Sequence, residues 1–294
     1  MPPIMKRCLE KDLLDWKDKP DRKPLIIRGA RQVGKTFLVR KFAQDFFSSF
    51  VEVNFEGLRD VCRAFEGNLD PALIIRDLST RLQQPIIPGK TLLFLDEIQA
   101  CPNALVSLRF FKEQMPELHV IAAGSLLEFV LRDERYSFPV GRVEYLYMRP
   151  MSFLEFLQAK EELAALTWLR EATPLQPIGM ATHLQLIQTM KEYCIVGGMP
   201  EVVLNFIKNG HFLNLDPIQR HLLDTYENDL GKYPKTSQQK FMKLLFNAMP
   251  RLVGDHFKYA KIHAHAQSRD YIESLDVLSQ TGILHQVFAN AASG

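Results

Sequence analysis

The chain has 294 residues, 47% of them hydrophobic and 24% charged, with a net charge of +2, so it is globular in composition and long enough for about two domains. Its near balance of 36 basic and 34 acidic residues excludes a strongly basic nucleic-acid binder, and its four scattered cysteines, none in a C-x-x-C pair, exclude a disulfide framework or a cysteine zinc site. No apolar run is long enough to span a bilayer and no apolar core follows Met1-Pro2-Pro3-Ile4-Met5-Lys6-Arg7, so the sequence predicts a cytoplasmic protein with no membrane partner.

From about Ile4 to Trp16 the apolar positions recur at helical spacing and predict an amphipathic lead-in helix, closed by the polar stretch Lys17 to Lys23. The apolar run Leu25–Arg28 predicts a buried parallel strand. It leads directly into Gly29-Ala30-Arg31-Gln32-Val33-Gly34-Lys35-Thr36, which fits the phosphate-loop pattern G-x-x-x-x-G-K-[ST] at every fixed position. The glycines let the backbone curl so that successive N–H groups form an anion nest. Lys35 can reach the β- and γ-phosphates of a nucleoside triphosphate, and the Thr36 hydroxyl can ligate Mg²⁺. Phe37, Leu38, Phe42 and Phe46 follow near helical spacing, so the loop opens a helix whose positive dipole end faces the phosphates. Phe37, beside the loop, is counted with it as a nucleotide-binding position.

Further strands are predicted at Phe50–Asn54, Thr91–Leu95, Leu118–Ala123 and Val143–Tyr147, with helices at Pro71–Leu82, Ala104–Met115 and Leu126–Leu131. This alternation predicts an α/β fold with a parallel, doubly wound sheet. The run Thr91–Leu95 delivers Asp96 and Glu97 at its carboxyl end, the Walker B pattern, where ligands of open α/β sheets gather. Asp96 suits Mg²⁺ held through water, and Glu97 suits the group that orients or deprotonates an attacking water. The bland alternative is that the two acids only cap the next helix. In ATPases of this architecture the following strand lies between the Walker B and phosphate-loop strands. Ser125, just past it, then either senses the γ-phosphate or caps the next helix, and the two roles are compatible. Phosphoryl transfer also needs positive charge where negative charge builds up. Arg142, before the fifth strand, is the first candidate for an arginine finger, in its own subunit or a neighbour's. Arg31 and Arg149 are the others, each also readable as a solvated surface residue.

After Pro150 the chain turns mainly helical, with Thr173 to Gly179 as a hinge and Gly197-Gly198-Met199-Pro200 as a breaker between helices. The predicted division is an ATPase domain over 1–150, a helical lid or linker over 151–235 and a winged helix-turn-helix over 236–294. In that last domain Gln238–Met249, Tyr259–Ile262 and Ser268–Gln280 are the helical elements, and Ile283–Val287 alternates like a wing strand. Arg269, Tyr271 and Ser274 then become candidates to face DNA, against the alternative of a module that packs or binds protein. The histidines form no metal pattern; the nearest, His263 and His265, read as solvated.

Taken in order, Arg28–Thr36, Leu95-Asp96-Glu97-Ile98-Gln99, Gly124-Ser125, Gly141-Arg142, Arg149–Phe156 and Gly197–Glu201 resemble the prokaryotic AAA-type ATPases that carry a C-terminal domain of unknown function. That group is similar to the signal-transducing and origin-recognition side of the AAA superfamily. The resemblance implies an ATPase module followed by a winged helix, with ATP as the nucleotide; no guanine-reading N-K-x-D motif is evident. Family members usually continue into a third domain resembling a restriction endonuclease. This chain ends at Gly294, shortly after the expected wing, so the expectation is truncation before that domain or a member without it, and nuclease activity is not carried over.

Three functional readings follow. The first is Mg²⁺-dependent ATP hydrolysis driving a conformational switch, with a DNA or protein partner at the winged helix and a homo-oligomer where Arg142 acts on a neighbour. The second is a nucleotide-gated DNA- or protein-binding module with little turnover. A small-molecule kinase is the third, and Glu97 and the long helical C-terminal half argue against it.

Overall fold

The computed structural model describes residues 5–124, 141–231, 236–258, 262 and 268–288. The chain divides into two compact units, Met1–Ile218 and Gln219–Gly294.

The first unit is built on five parallel strands: β1 (Leu25–Arg28), β2 (Ser49–Asn54), β3 (Thr91–Asp96), β4 (His119–Ala123) and β5 (Glu144–Tyr147). Their order across the sheet is β2-β3-β4-β1-β5, so β4 lies between the Walker B strand and the phosphate-loop strand as expected. All six residues of β3 are buried, which accounts for the unbroken apolar run that delivers Asp96. One face of the sheet, with Ile26, Val53, Leu93, Leu95 and Val120, packs on Phe65, Ile74, Leu78, Leu108 and Phe111. These come from the 3₁₀ segment Arg59–Phe65, from α3 (Pro71–Leu82) and from α4 (Pro102–Gln114). The alternate residues point to the other face, which is covered by α2 (Lys35–Phe46), with α1 (Leu9–Lys17) against α2.

Local chemistry sets the helix ends. Asp70 caps α3 by accepting from the Ala72 amide at 2.8 Å, with Pro71 in the first turn, where its missing N–H costs nothing. Beyond β5 the unit is helical: α5 (Phe153–Ala159), α6 (Leu163–Glu171), α7 (Met180–Val196) and α8 (Pro200–Asn209). Ser152 and Glu155 form a capping box at the start of α5. The Gly197–Pro200 breaker separates α7 from α8 and is tied back to the sheet side by Met151, whose amide donates to the Gly198 carbonyl at 2.6 Å.

α9 (Leu215–Leu230) carries the chain into the second unit, where α10 (Thr236–Ala248) packs on α11 (Ser268–Gln280). The Phe241 and Tyr271 rings meet edge to face, 5.1 Å between centroids, over a core with Met242, Leu245 and Leu278. Two winged-helix expectations are corrected here. Residues 283–287 form no strand, so the expected wing is not there. Tyr271 and Ser274, expected to face DNA, are both 0% exposed, because the apolar face of α11 turns inward and takes them with it. The second expected element, 259–262, lies almost wholly outside the described residues, as do His263 and His265.

Candidate functional site

The phosphate loop leaves β1 at its carboxyl end and returns into α2. Gly29 takes φ +140°, and a Cβ there would lie 2.0 Å from the Met148 carbonyl oxygen, so only glycine fits beside the end of β5. Gly34 takes φ +98° and Gln32 φ +61°, left-handed positions that turn the loop around its centre. Lys35 is 8% exposed, and its Nζ donates to the Gly29 and Ala30 carbonyls, both at 2.8 Å. Burial pulls its pKa down to about 8, against the Glu97 and Asp96 carboxylates, which favour the charged form.

The register of the sheet brings the Walker B acids to the same edge. Thr36 Oγ1 donates to Asp96 Oδ2 at 3.0 Å, and Asn54, at the end of β2, donates from Nδ2 to the same oxygen at 3.4 Å. Burial pushes the Asp96 carboxyl up from its usual range, with Glu97 adding to the rise and the Thr36 hydroxyl opposing it. A buried carboxylate beside a hydroxyl at this edge fits Mg²⁺, which takes one or two protein oxygens and completes its shell with water and phosphate. Among the described residues no three His, Cys, Asp or Glu side chains gather as an all-protein metal cage. Glu97 follows with left-handed backbone, φ +50°, and its Oε2 accepts from Gln99 Nε2 at 2.6 Å.

Lys35, Thr36, Asp96 and Glu97 are thus brought together; other predicted positions are not. Phe37 is 59% exposed on α2. Arg31 Nη2 lies 3.5 Å from Glu56 Oε1 beside the loop. Arg142 precedes β5, which runs parallel to β1 with Glu144 opposite Leu25, so it stands at the amino edge of the sheet, opposite the phosphate loop. There its Nε pairs with Glu113 Oε1 at 3.1 Å. Its expected role within its own subunit is corrected on that ground, since the intervening strand holds it on the wrong edge. Ser125 lies outside the described residues.

Sequence reasoning missed a group behind the loop. Arg7, 8% exposed, donates from Nη1 to the Val33 carbonyl at 2.7 Å, from Nε to Glu155 Oε1 at 3.0 Å and from Nη2 to the Arg149 carbonyl. Glu155 also accepts from the Cys8 and Ser152 amides, both at 2.8 Å, and these bonds with Arg7 hold its carboxyl below the usual range against its burial. The Ser152-x-x-Glu155 spacing is legible as a capping box; nothing in the sequence marks Arg7.

Residues 21–157 match the family model of an AAA domain, and residues 187–293 match that of a domain of unknown function. Among solved structures the chain is similar to a Walker-type ATPase of Pyrococcus abyssi, with 15% identity, 95% of this chain and 90% of that one covered and a TM-score of 0.50. It is also similar to a Signal Transduction ATPase with Numerous Domains from Pyrococcus horikoshii that has a tetratricopeptide repeat sensor (13% identity, 94% and 39% covered, TM-score 0.39). A third is the ORC1 protein of Aeropyrum pernix in complex with DNA (15% identity, 94% and 82% covered, TM-score 0.33). No curated protein matches the chain.

Proposed function

We propose, for a chain that belongs to the AAA-type P-loop ATPases carrying a C-terminal domain of unknown function, that it binds ATP at the Gly29–Thr36 loop and hydrolyses it. The observation that carries this reading is the meeting of Lys35, Thr36, Asp96 and Glu97 at one sheet edge, with Thr36 Oγ1 3.0 Å from Asp96 Oδ2. Residues 29–36 offer the backbone amides and Lys35 to the phosphates, while Phe37 and Ser125 stay candidate nucleotide contacts. When bound, Mg²⁺ supplies charge that neutralises the phosphate oxygens, and the Thr36 hydroxyl and Asp96 carboxylate are the groups that hold it. Glu97 takes the proton of the attacking water, and the developing charge is met by Lys35 and, from a neighbouring subunit, Arg142.

The release of phosphate then shifts the helical region that follows β5, which makes hydrolysis a switch for a DNA or protein partner of the C-terminal unit. Steady-state turnover by the wild type and Glu97→Gln tests the chemistry. The variant should bind ATP and lose about 100-fold or more in turnover, the usual worth of a general base; equal turnover would sink the assignment.

One observation favours the gated module over a fast enzyme: Glu97 is already engaged by Gln99 at 2.6 Å. In that reading ATP is held long and hydrolysed rarely, and partner affinity follows the nucleotide state. An affinity that is the same with ATP, with ADP and without nucleotide would rule it out.

A further inference from the structure

We propose that Arg7 is a positioning residue for phosphate binding, acting by pinning the peptide between Val33 and Gly34. The inference rests on the nucleotide reading of the loop and adds a residue far from it in sequence. A peptide unit is planar and trans, so its carbonyl and its N–H point in opposite directions. Arg7 Nη1 holds the Val33 carbonyl at 2.7 Å from behind the loop. The N–H of the same peptide, that of Gly34, is therefore directed away from Arg7 and toward the inside of the loop.

That orientation is not secured by the loop alone. Gly34 at φ +98° ends the loop in a conformation open to glycine, and a glycine flanked by a free carbonyl can turn its peptide over at little cost. A turned peptide would present an oxygen to the phosphates in place of a hydrogen-bond donor. Arg7 removes that freedom, and it is itself fixed. Its Nε is paired with Glu155 at 3.0 Å and its Nη2 donates to the Arg149 carbonyl, so its planar fork is committed on three sides. Glu155 in turn is held by the Ser152 and Cys8 amides. The loop's donor geometry therefore depends on the start of α5 and on the segment before α1.

Removing Arg7 alone would leave the buried Glu155 carboxylate without its counter-ion, which is strongly destabilising. The test is the double variant Arg7→Met with Glu155→Gln, which removes both charges. ADP and ATP affinities are measured by calorimetry, the thermal midpoint by circular dichroism, and the Gly34 amide resonance in protein labelled with ¹⁵N-glycine. We expect a protein that still folds, with a lowered thermal midpoint, because a carboxamide at position 155 can accept from only one of the Cys8 and Ser152 amides. Nucleotide affinity, measured below that midpoint, should be weaker by about tenfold or more, and the Gly34 amide should no longer shift downfield on ADP addition. A purely structural role predicts that affinity and the Gly34 shift recover with the fold, and that result would overturn the proposal. If the double variant does not fold, Arg7→Lys carries the test: one ammonium cannot serve all three acceptors, and wild-type affinity with a wild-type Gly34 shift would overturn the proposal. A wild type that binds neither ADP nor ATP would overturn the nucleotide reading itself, a different outcome from a wild type and variant that bind alike.

Discussion

Gln99 Nε2 donates to Glu97 Oε2 at 2.6 Å, a short bond to the carboxylate that is the candidate base, across the two-residue step from Glu97 to Gln99. The backbone of Glu97 at φ +50° and the 3₁₀ turn Ile98–Ala100 are what bring the two side chains together. A carboxylate oxygen occupied by a carboxamide is less available to water. Gln99→Ala should therefore raise basal turnover about fivefold, the worth of one hydrogen bond of roughly 1 kcal/mol. ATP affinity should hardly move, since Gln99 is placed on Glu97 and not on the loop. Unchanged or slower turnover at saturating ATP would show that the bond aligns Glu97 or does nothing.

On the proposed function, Asp96 sets the metal dependence. Its carboxylate is buried, accepts from Thr36 and Asn54, and is pushed up by that burial. Replacing it by Asn keeps the size and an oxygen to accept from Thr36 and Asn54, gives up the second oxygen that accepts from the Glu97 amide, and removes the charge a divalent cation needs. Asp96→Asn should bind nucleotide without Mg²⁺ about as well as the wild type. The gain in ATP affinity that added Mg²⁺ brings should fall by about tenfold. Titration of ATP with and without the metal measures both, and an intact metal effect would remove Asp96 from the site.

Much of this arrangement was legible because the residues concerned are consecutive. The phosphate loop and the Asp96-Glu97 pair each sit at the end of a short apolar run, and a buried parallel strand must present its next residues at the carboxyl edge. Arg142 failed the same logic, since a residue before a strand emerges at the amino edge. The link from Arg7 to Val33 and Glu155 was not legible, because 148 positions separate Arg7 from Glu155 and a lone arginine carries no periodic signal. Tyr271 and Ser274 misled for another reason. Their place on the third helical element of the expected winged helix suggested an outward face, whereas the Tyr271 ring meets Phe241 edge to face inside the core and turns that side of the helix inward.

Tyr271 is consequently a stability residue. It is 0% exposed, and its truncation removes a large ring from the centre of the second unit. Tyr271→Ala should cost about 3–5 kcal/mol, the range for emptying an aromatic site in a core. Differential scanning calorimetry should show the loss in the transition of the C-terminal unit. A variant with an unaltered melting profile would contradict the packing described for α11.

On the proposed function, Lys35 should make phosphate binding depend on pH. In the nucleotide-free protein its pKa is lowered to about 8, chiefly by burial. Phosphate charge placed against the ammonium favours the protonated form, so the bound state holds its proton to higher pH than the free state. Below about pH 8 both states carry the proton, and affinity should be flat as far as this group is concerned. Above that value the free protein loses the proton first, binding must take it back up, and affinity should fall by up to tenfold per pH unit until the bound state also titrates. Calorimetry of ADP binding between pH 7 and 9.5, in buffers of different ionisation enthalpy, would report both the fall and the proton uptake. Lys35→Met should bind weakly at every pH and show neither effect. A wild-type affinity that stays level through pH 9.5, with no proton taken up, would mean that Lys35 does not meet the phosphates.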